Sequence, residues 1–145
     1  MGECDQLKNL SITPIALLHP GDSYGYRIED ENRRLVYATD AAYQQVESQY
    51  VEFFKEADML IFDSHFSFKE SLDKVDWGHS TAMFGAEFAY RAQIKRLVLF
   101  HHDPLSDDEI IYQAMQQAQR YLSHRTFKHG PCQVIVAQDG LDMEI

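Results

Sequence analysis

The sequence predicts a single α/β domain, a β-meander followed by helices and strands in alternation. Two observations carry that prediction. Short apolar runs recur, and each ends on a histidine or a carboxylate: Ile15 to Leu18 leads to His19, Leu35 to Thr39 to Asp40, Met59 to Phe62 to Asp63, and Leu97 to Phe100 to His101. Between the later runs lie stretches of helical periodicity, the spacing that crossover connections between parallel strands require.

Taken in order, Ile12 to Leu18 is apolar with Pro14 near its start, which suits an edge strand. Gly21-Asp22-Ser23 is turn chemistry, and Tyr24 to Ile28 is the second strand. Glu29 to Asn32 makes a polar hairpin, after which Arg33 to Thr39 returns as the third. In an antiparallel meander the first and third strands run the same way, so His19 and Asp40 meet at one edge of the sheet. Ala41 to Ala57 is predicted as helix, because Tyr43, Val46, Tyr50 and Phe53-Phe54 fall on one face. Asp58 to Asp63 is a buried strand, and residues 64–76 form a loop or broken helix beside its end.

Ser80 or Thr81 caps the next helix, whose apolar positions are Ala82, Ala86, Phe88, Ala89 and Ala92. Arg96 to Phe100 is apolar on both faces, like a central parallel strand, and Pro104 ends that stretch. Ser106 to Glu109 reads as a capping box opening a helix to about His124, with Ile110, Ile111, Ala114 or Met115, Ala118 and Leu122 as its core stripe. A basic loop from Arg125 to Pro131 precedes a last strand, Gln133 to Ala137, and an acidic tail.

A chain of 145 residues, 45% hydrophobic and 25% charged, has the length and composition of one soluble domain. Its net charge of −10 argues against a nucleic-acid surface spread over the whole domain. Cys4 and Cys132 lack any ligand spacing and read as free thiols in a reducing compartment. No apolar run reaches membrane-spanning length and the first ten residues are too polar for a signal peptide, so a cytoplasmic location is expected.

Ligands and catalysts sit at the carboxyl ends of strands in open α/β sheets. Imidazoles and carboxylates gathered there suit zinc, or iron and manganese. The sequence has no HExxH, paired CxxC, P-loop, GxGxxG or GxSxG motif, which favours metal-assisted hydrolysis over those chemistries. Each residue also has a plain reading. Asp40 could cap a turn, His19 could be solvated before Pro20, and His79 could simply precede a helix cap. Strand periodicity cannot choose between His101 and His102. His65, His124 and His129 read as surface histidines, and Tyr43, Phe53, Phe54, Phe84 and Phe88 as core.

The segments LLHPGDSYGYRIED, RRLVYATD, ADMLIFDSHFS, WGHSTAMFGAEFA and KRLVLFHHDP, in this order over about residues 12–137, resemble the C-terminal half of metallo-β-lactamase-fold hydrolases. The branch is that of ribonuclease Z and related phosphodiesterases. The resemblance implies a half of an αβ/βα sandwich. It makes His19 a ligand of one metal ion, Asp40 the bridge between two, and His101 a ligand of the second. His79, in His-Ser-Thr, would assist proton transfer at the scissile phosphate. Asp63 stands where that branch places an acidic residue and would orient a ligand from behind it, as His102 could.

Two departures qualify that picture. The family's HxHxDH motif, which lies in its N-terminal half, is not found in residues 1–145. The expected domain is therefore one half-fold, with an apolar sheet face open for association, and Tyr24, Tyr26, Val36 and Ala38 are its candidate residues. A second copy of the chain or a partner chain would cover it. The 21 positions from His19 to Asp40 are also too few for the tRNA-binding arm of true ribonuclease Z.

Overall fold

The computed structural model describes residues 9–43, 45–65 and 79–145. Strands β1 (Ser11–Leu17), β2 (Ser23–Glu29) and β3 (Arg34–Ala38) form the expected antiparallel meander, and β4 (Met59–Asp63), β5 (Arg96–Phe100) and β6 (Gln133–Val136) extend it. The sheet order is β1-β2-β3-β4-β5-β6, with every pair from β3 onward parallel. Helices α1 (Ser48–Phe54), α2 (Ala82–Ala92) and α3 (Asp108–Ser123) provide or flank the crossovers.

Strand alternation divides the sheet into two unlike faces. Val36, Leu60, Leu97 and Val134 pair in one row, and all are buried with the inner sides of the helices. Phe62 anchors this core, stacked on Tyr43 with centroids 5.1 Å apart, while Phe88 meets Tyr43 at 4.9 Å and Phe54 at 5.2 Å. α2 approaches the sheet closely because it is built from small residues. At Gly85 a Cβ would lie 2.8 Å from the Phe62 ring.

The opposite face carries the row Pro14, Tyr26, Tyr37, Ile61, Val98 and Ile135. Tyr24, Tyr26, Tyr37 and Phe100 are exposed there. Val36 and Ala38 are not part of it, contrary to expectation. Tyr26 pairs with Tyr37, so strand alternation turns Val36 and Ala38 into the core.

Three further expectations are corrected. Ala41, Ala42, Tyr43 and residues 45–47 are not helical, and the helix is Ser48–Phe54. Asp40 turns the chain with φ of 56°, after which Ala41 N–H donates to Asp63 Oδ2 (3.2 Å) and Ala42 N–H to the Leu18 carbonyl (2.7 Å). Those tertiary bonds take the donors a first helical turn leaves unpaired, and they hold Ala41, Ala42 and Tyr43 in the core. The N-cap of α3 is Asp107, whose Oδ1 accepts from Ile110 N–H (2.9 Å), and not Ser106, whose own N–H is taken by the Asp103 carbonyl. Ile110 then faces solvent, and Ala118 and Leu122 are the buried positions of that helix.

Thr81 caps α2 through Phe84 N–H, one of the two residues expected to do so. Arg27 reaches across the core face to donate to the Phe53 and Lys55 carbonyls, satisfying the end of α1. Cys132 is buried, and burial pushes its thiol up to about 12. Cys4 and residues 66–76 of the expected loop lie outside the described residues. Among the described residues, no helix is long and apolar enough to cross a membrane.

Candidate metal centre

Parallel pairing brings the ends of β3, β4 and β5 level, and the meander returns the end of β1 to the same edge. Two of the residues gathered there, Asp40 and His101, have left-handed backbones (φ of 56° and 59°) although neither is glycine. Such conformations cost on the order of 1–3 kcal/mol each and collect at functional sites. Both side chains are thereby turned toward the buried Asp63.

Asp63 is the hub of the cluster. Its side chain is 0% exposed. Oδ1 accepts from His65 N–H (3.1 Å) and Ser80 N–H (3.3 Å), and Oδ2 from Ala41 N–H. The same Oδ2 lies 3.1 Å from His79 Nδ1 and 3.4 Å from His101 Nδ1. Asp40 Oδ1 stands 3.3 Å from His101 Nδ1 and 3.9 Å from His79 Nδ1, with half of its side chain exposed. A ligand atom from each of Asp40, Asp63, His79 and His101 lies within 4.8 Å of the others. A mixed set of imidazoles and carboxylates at that spacing fits a divalent metal.

His19 stands at the border of this group. Its ring meets His79 edge-on at 5.6 Å, and it belongs to neither of the metal-sized groups found among the described residues. His102 points elsewhere: its Nδ1 bonds Ser64 Oγ at 3.1 Å, and it lines a small cavity with Leu99, Ile111 and Ala114. Burial lowers its pKa, and among the described residues its Nε2 has no hydrogen-bond partner. The structure thus separates two neighbouring histidines the sequence could not, with His101 on the cluster.

His65, read from sequence as a surface residue, is in the cluster. It stacks on His79 with centroids 4.2 Å apart and planes 23° from parallel, and its Nδ1 bonds the His101 carbonyl at 3.1 Å. Burial and the nearby His79 lower its pKa. The overlooked signal is its place two residues past Asp63, beyond a strand end already picked out for its ligand type. His124 and His129 are exposed, as expected.

Residues 5–102 match the Beta-lactamase superfamily domain. The chain belongs to this superfamily. It is 38% identical over 104 residues to ribonuclease Z of Archaeoglobus fulgidus, an alignment covering 69% of this chain and 29% of that protein. It is 32% identical over 91 residues to the probable metallo-hydrolase YhfI of Bacillus subtilis, covering 63% and 35%. The crystal structure of YhfI superposes with a TM-score of 0.73 at 23% identity, over 92% of this chain and 49% of that one. Human tRNase Z, short form, superposes at 0.66 and 24% identity, covering 92% and 42%.

The fold is therefore that of the metallo-β-lactamase superfamily, and the chain is a ribonuclease Z-like member of it. It spans about half the length of YhfI and less of the Archaeoglobus ribonuclease Z and of human tRNase Z.

Proposed function

We propose that this superfamily domain contributes one side of a metal-dependent hydrolase site acting on a phosphodiester or ester bond. The observation that supports it most is the convergence of Asp40, Asp63, His79 and His101 within 4.8 Å at the carboxyl edge of the parallel strands. His19, Asp40 and His101 would hold the metal, with zinc as the expected ion and iron or manganese as alternatives. A divalent metal supplies Lewis-acid polarisation of a phosphoryl or acyl oxygen and acidification of water.

The remaining steps belong to the chain's own groups. Asp63 accepts the Nδ1 proton of His79, which fixes the tautomer and leaves Nε2 to exchange a proton with the reacting oxygen. A positive charge on that ring is balanced by the buried carboxylate 3.1 Å away. The other half of the site would come from an HxHxDH-bearing segment, or from a partner or second copy seated on the open sheet face.

The test is metal-dependent hydrolysis of bis(p-nitrophenyl) phosphate, alone and mixed with an HxHxDH-bearing relative, alongside metal content per chain. His101→Ala should lose metal, and His79→Ala should lower the rate by about 10² or more while keeping it. A rate unaffected by chelator and by both substitutions would end this reading. The exposed Tyr24, Tyr26, Tyr37 and Phe100 favour a second one, a non-catalytic module that associates through its sheet. A metal-free dimer by light scattering, dissociated by Tyr26→Lys, would select it.

A further inference from the structure

The sheet face opposite the helices is not uniformly open. Tyr37 and Phe100 are 36% and 39% exposed there, but Met59 and Val98 on the same face are 2% and 1% exposed. Strand alternation turns Met59 and Val98 away from Leu60 and Leu97 of the helix-side core. Arg96, which pairs with Met59 and stands two before Val98 on β5, shares their face.

A segment that reaches this face follows β6. Ala137 N–H donates to the Leu99 carbonyl (2.8 Å), and Leu141 N–H to the Gln138 carbonyl (3.0 Å). Gly140, with φ of 82°, supplies the positive dihedral that a tight turn takes at its third residue. The chain thus reverses at the carboxyl edge of the sheet. Arg96 Nη1 then donates to the Glu144 carbonyl (2.5 Å) at the amino end of β5. The return runs along the face that carries Arg96 and Val98.

Its sequence, Leu141-Asp142-Met143-Glu144-Ile145, alternates apolar and acidic residues. An extended segment with that period has three apolar side chains on one side and two carboxylates on the other. Burial follows the pattern. Leu141 and Ile145 are 39% and 38% exposed, against 93% for the unsupported Leu105. Met143 is partly buried, and Asp142 and Glu144 are exposed.

We propose that residues 138–145 form a displaceable strap: Leu141, Met143 and Ile145 cover the Met59 and Val98 part of the face, in competition with a second copy of the chain for that seat. The competition rests on the reading of this face as an association surface, while the strap itself does not. Closed, the strap turns two carboxylates outward over apolar residues, which repels a copy whose net charge is also −10. Tyr24, Tyr26, Tyr37 and Phe100 stay open beside it. A second copy therefore makes first contact there and reaches β4 and β5 only by lifting the strap. Segments held by little buried surface are the ones that open locally at low cost.

The strap is tested by thiol labelling of the whole chain with a cysteine at either of two adjacent positions, the wild-type chain's own thiols setting the background. Met143→Cys should react at least about threefold more slowly than Asp142→Cys, and adding Arg96→Ala should remove most of that difference. Equal rates at the two positions would show a free segment and overturn the proposal, whatever the state of association. The competition is tested by sedimentation of Leu141→Ser, Met143→Ser, with near-UV circular dichroism to show that the fold is kept. This variant should self-associate at about tenfold lower concentration than wild type. Association no stronger than in wild type would overturn the competition even with the labelling difference intact. Tyr26→Lys, which bears on the association reading alone, should weaken self-association of both forms and leave the labelling rates unchanged.

Discussion

Asp63 Oδ2 lies 3.1 Å from His79 Nδ1 while the same carboxylate accepts the N–H groups of Ala41, His65 and Ser80. One buried side chain thus ties the segments after β3 and β4 and the entry to α2 to the histidine they surround. Asp63→Ala would leave three N–H donors facing an apolar gap, at about 1–3 kcal/mol each. A loss of about 3 kcal/mol or more is expected in urea unfolding. A loss under 1 kcal/mol would mean that the loops hold themselves in place.

The left-handed backbone of His101 can be tested apart from its ring. His101→Ala and His101→Gly both remove the imidazole, but only glycine adopts φ of 59° without strain. His101→Gly should be the more stable variant by about 1 kcal/mol. Equal melting temperatures would show that the turn relaxes once the ring is gone.

Gly85 tests the packing of α2 on β4. Alanine improves helix propensity by about 1 kcal/mol, but its Cβ would sit 2.8 Å from the buried, stacked Phe62 ring. Overpacking of this kind costs about 1–3 kcal/mol. Gly85→Ala should therefore come out neutral to destabilised by thermal melt, and Gly85→Ala with Phe62→Leu should recover part of the loss. Clear stabilisation by the single change would contradict the tight contact.

Acid sensitivity follows from His65 and His102. Burial lowers the pKa of both below the ordinary 6.5. Below that pH the unfolded chain binds protons that the folded chain refuses, so stability is full above about pH 6.5 and falls as the pH drops. Unfolding free energy in metal-free buffer should rise from pH 5 to 7.5. The slope should shrink in a His65→Asn, His102→Asn double variant, and an unchanged slope would assign the effect to other groups.

Much of this architecture was legible because strand ends are local features. An apolar run closing on His19, Asp40, Asp63 or His101 can be read without knowing its neighbours, and the meander then sets two of those ends on one edge. Long-range bonds were not legible. Residues 41–47 carry helical periodicity, but the Asp63 carboxylate and the Leu18 carbonyl, remote in sequence, claim the N–H groups of Ala41 and Ala42. Choosing between His101 and His102 depended on a backbone turn with positive φ, which a histidine gives no reason to expect. The face of Val36 and Ala38 depended on register, since a shift of one residue exchanges the two sides of a strand.

The candidate centre draws on residues at or just past the ends of four different strands, separated by as many as 82 positions from His19 to His101. It exists only when all four strands are in register, so a partly folded chain has fragments of the site and no site. A metal ion should accordingly slow unfolding and leave the folding rate alone, because the contacts it needs are completed last. Occupancy would then report on the integrity of the entire sheet, and an ion added early in refolding would find nothing to bind.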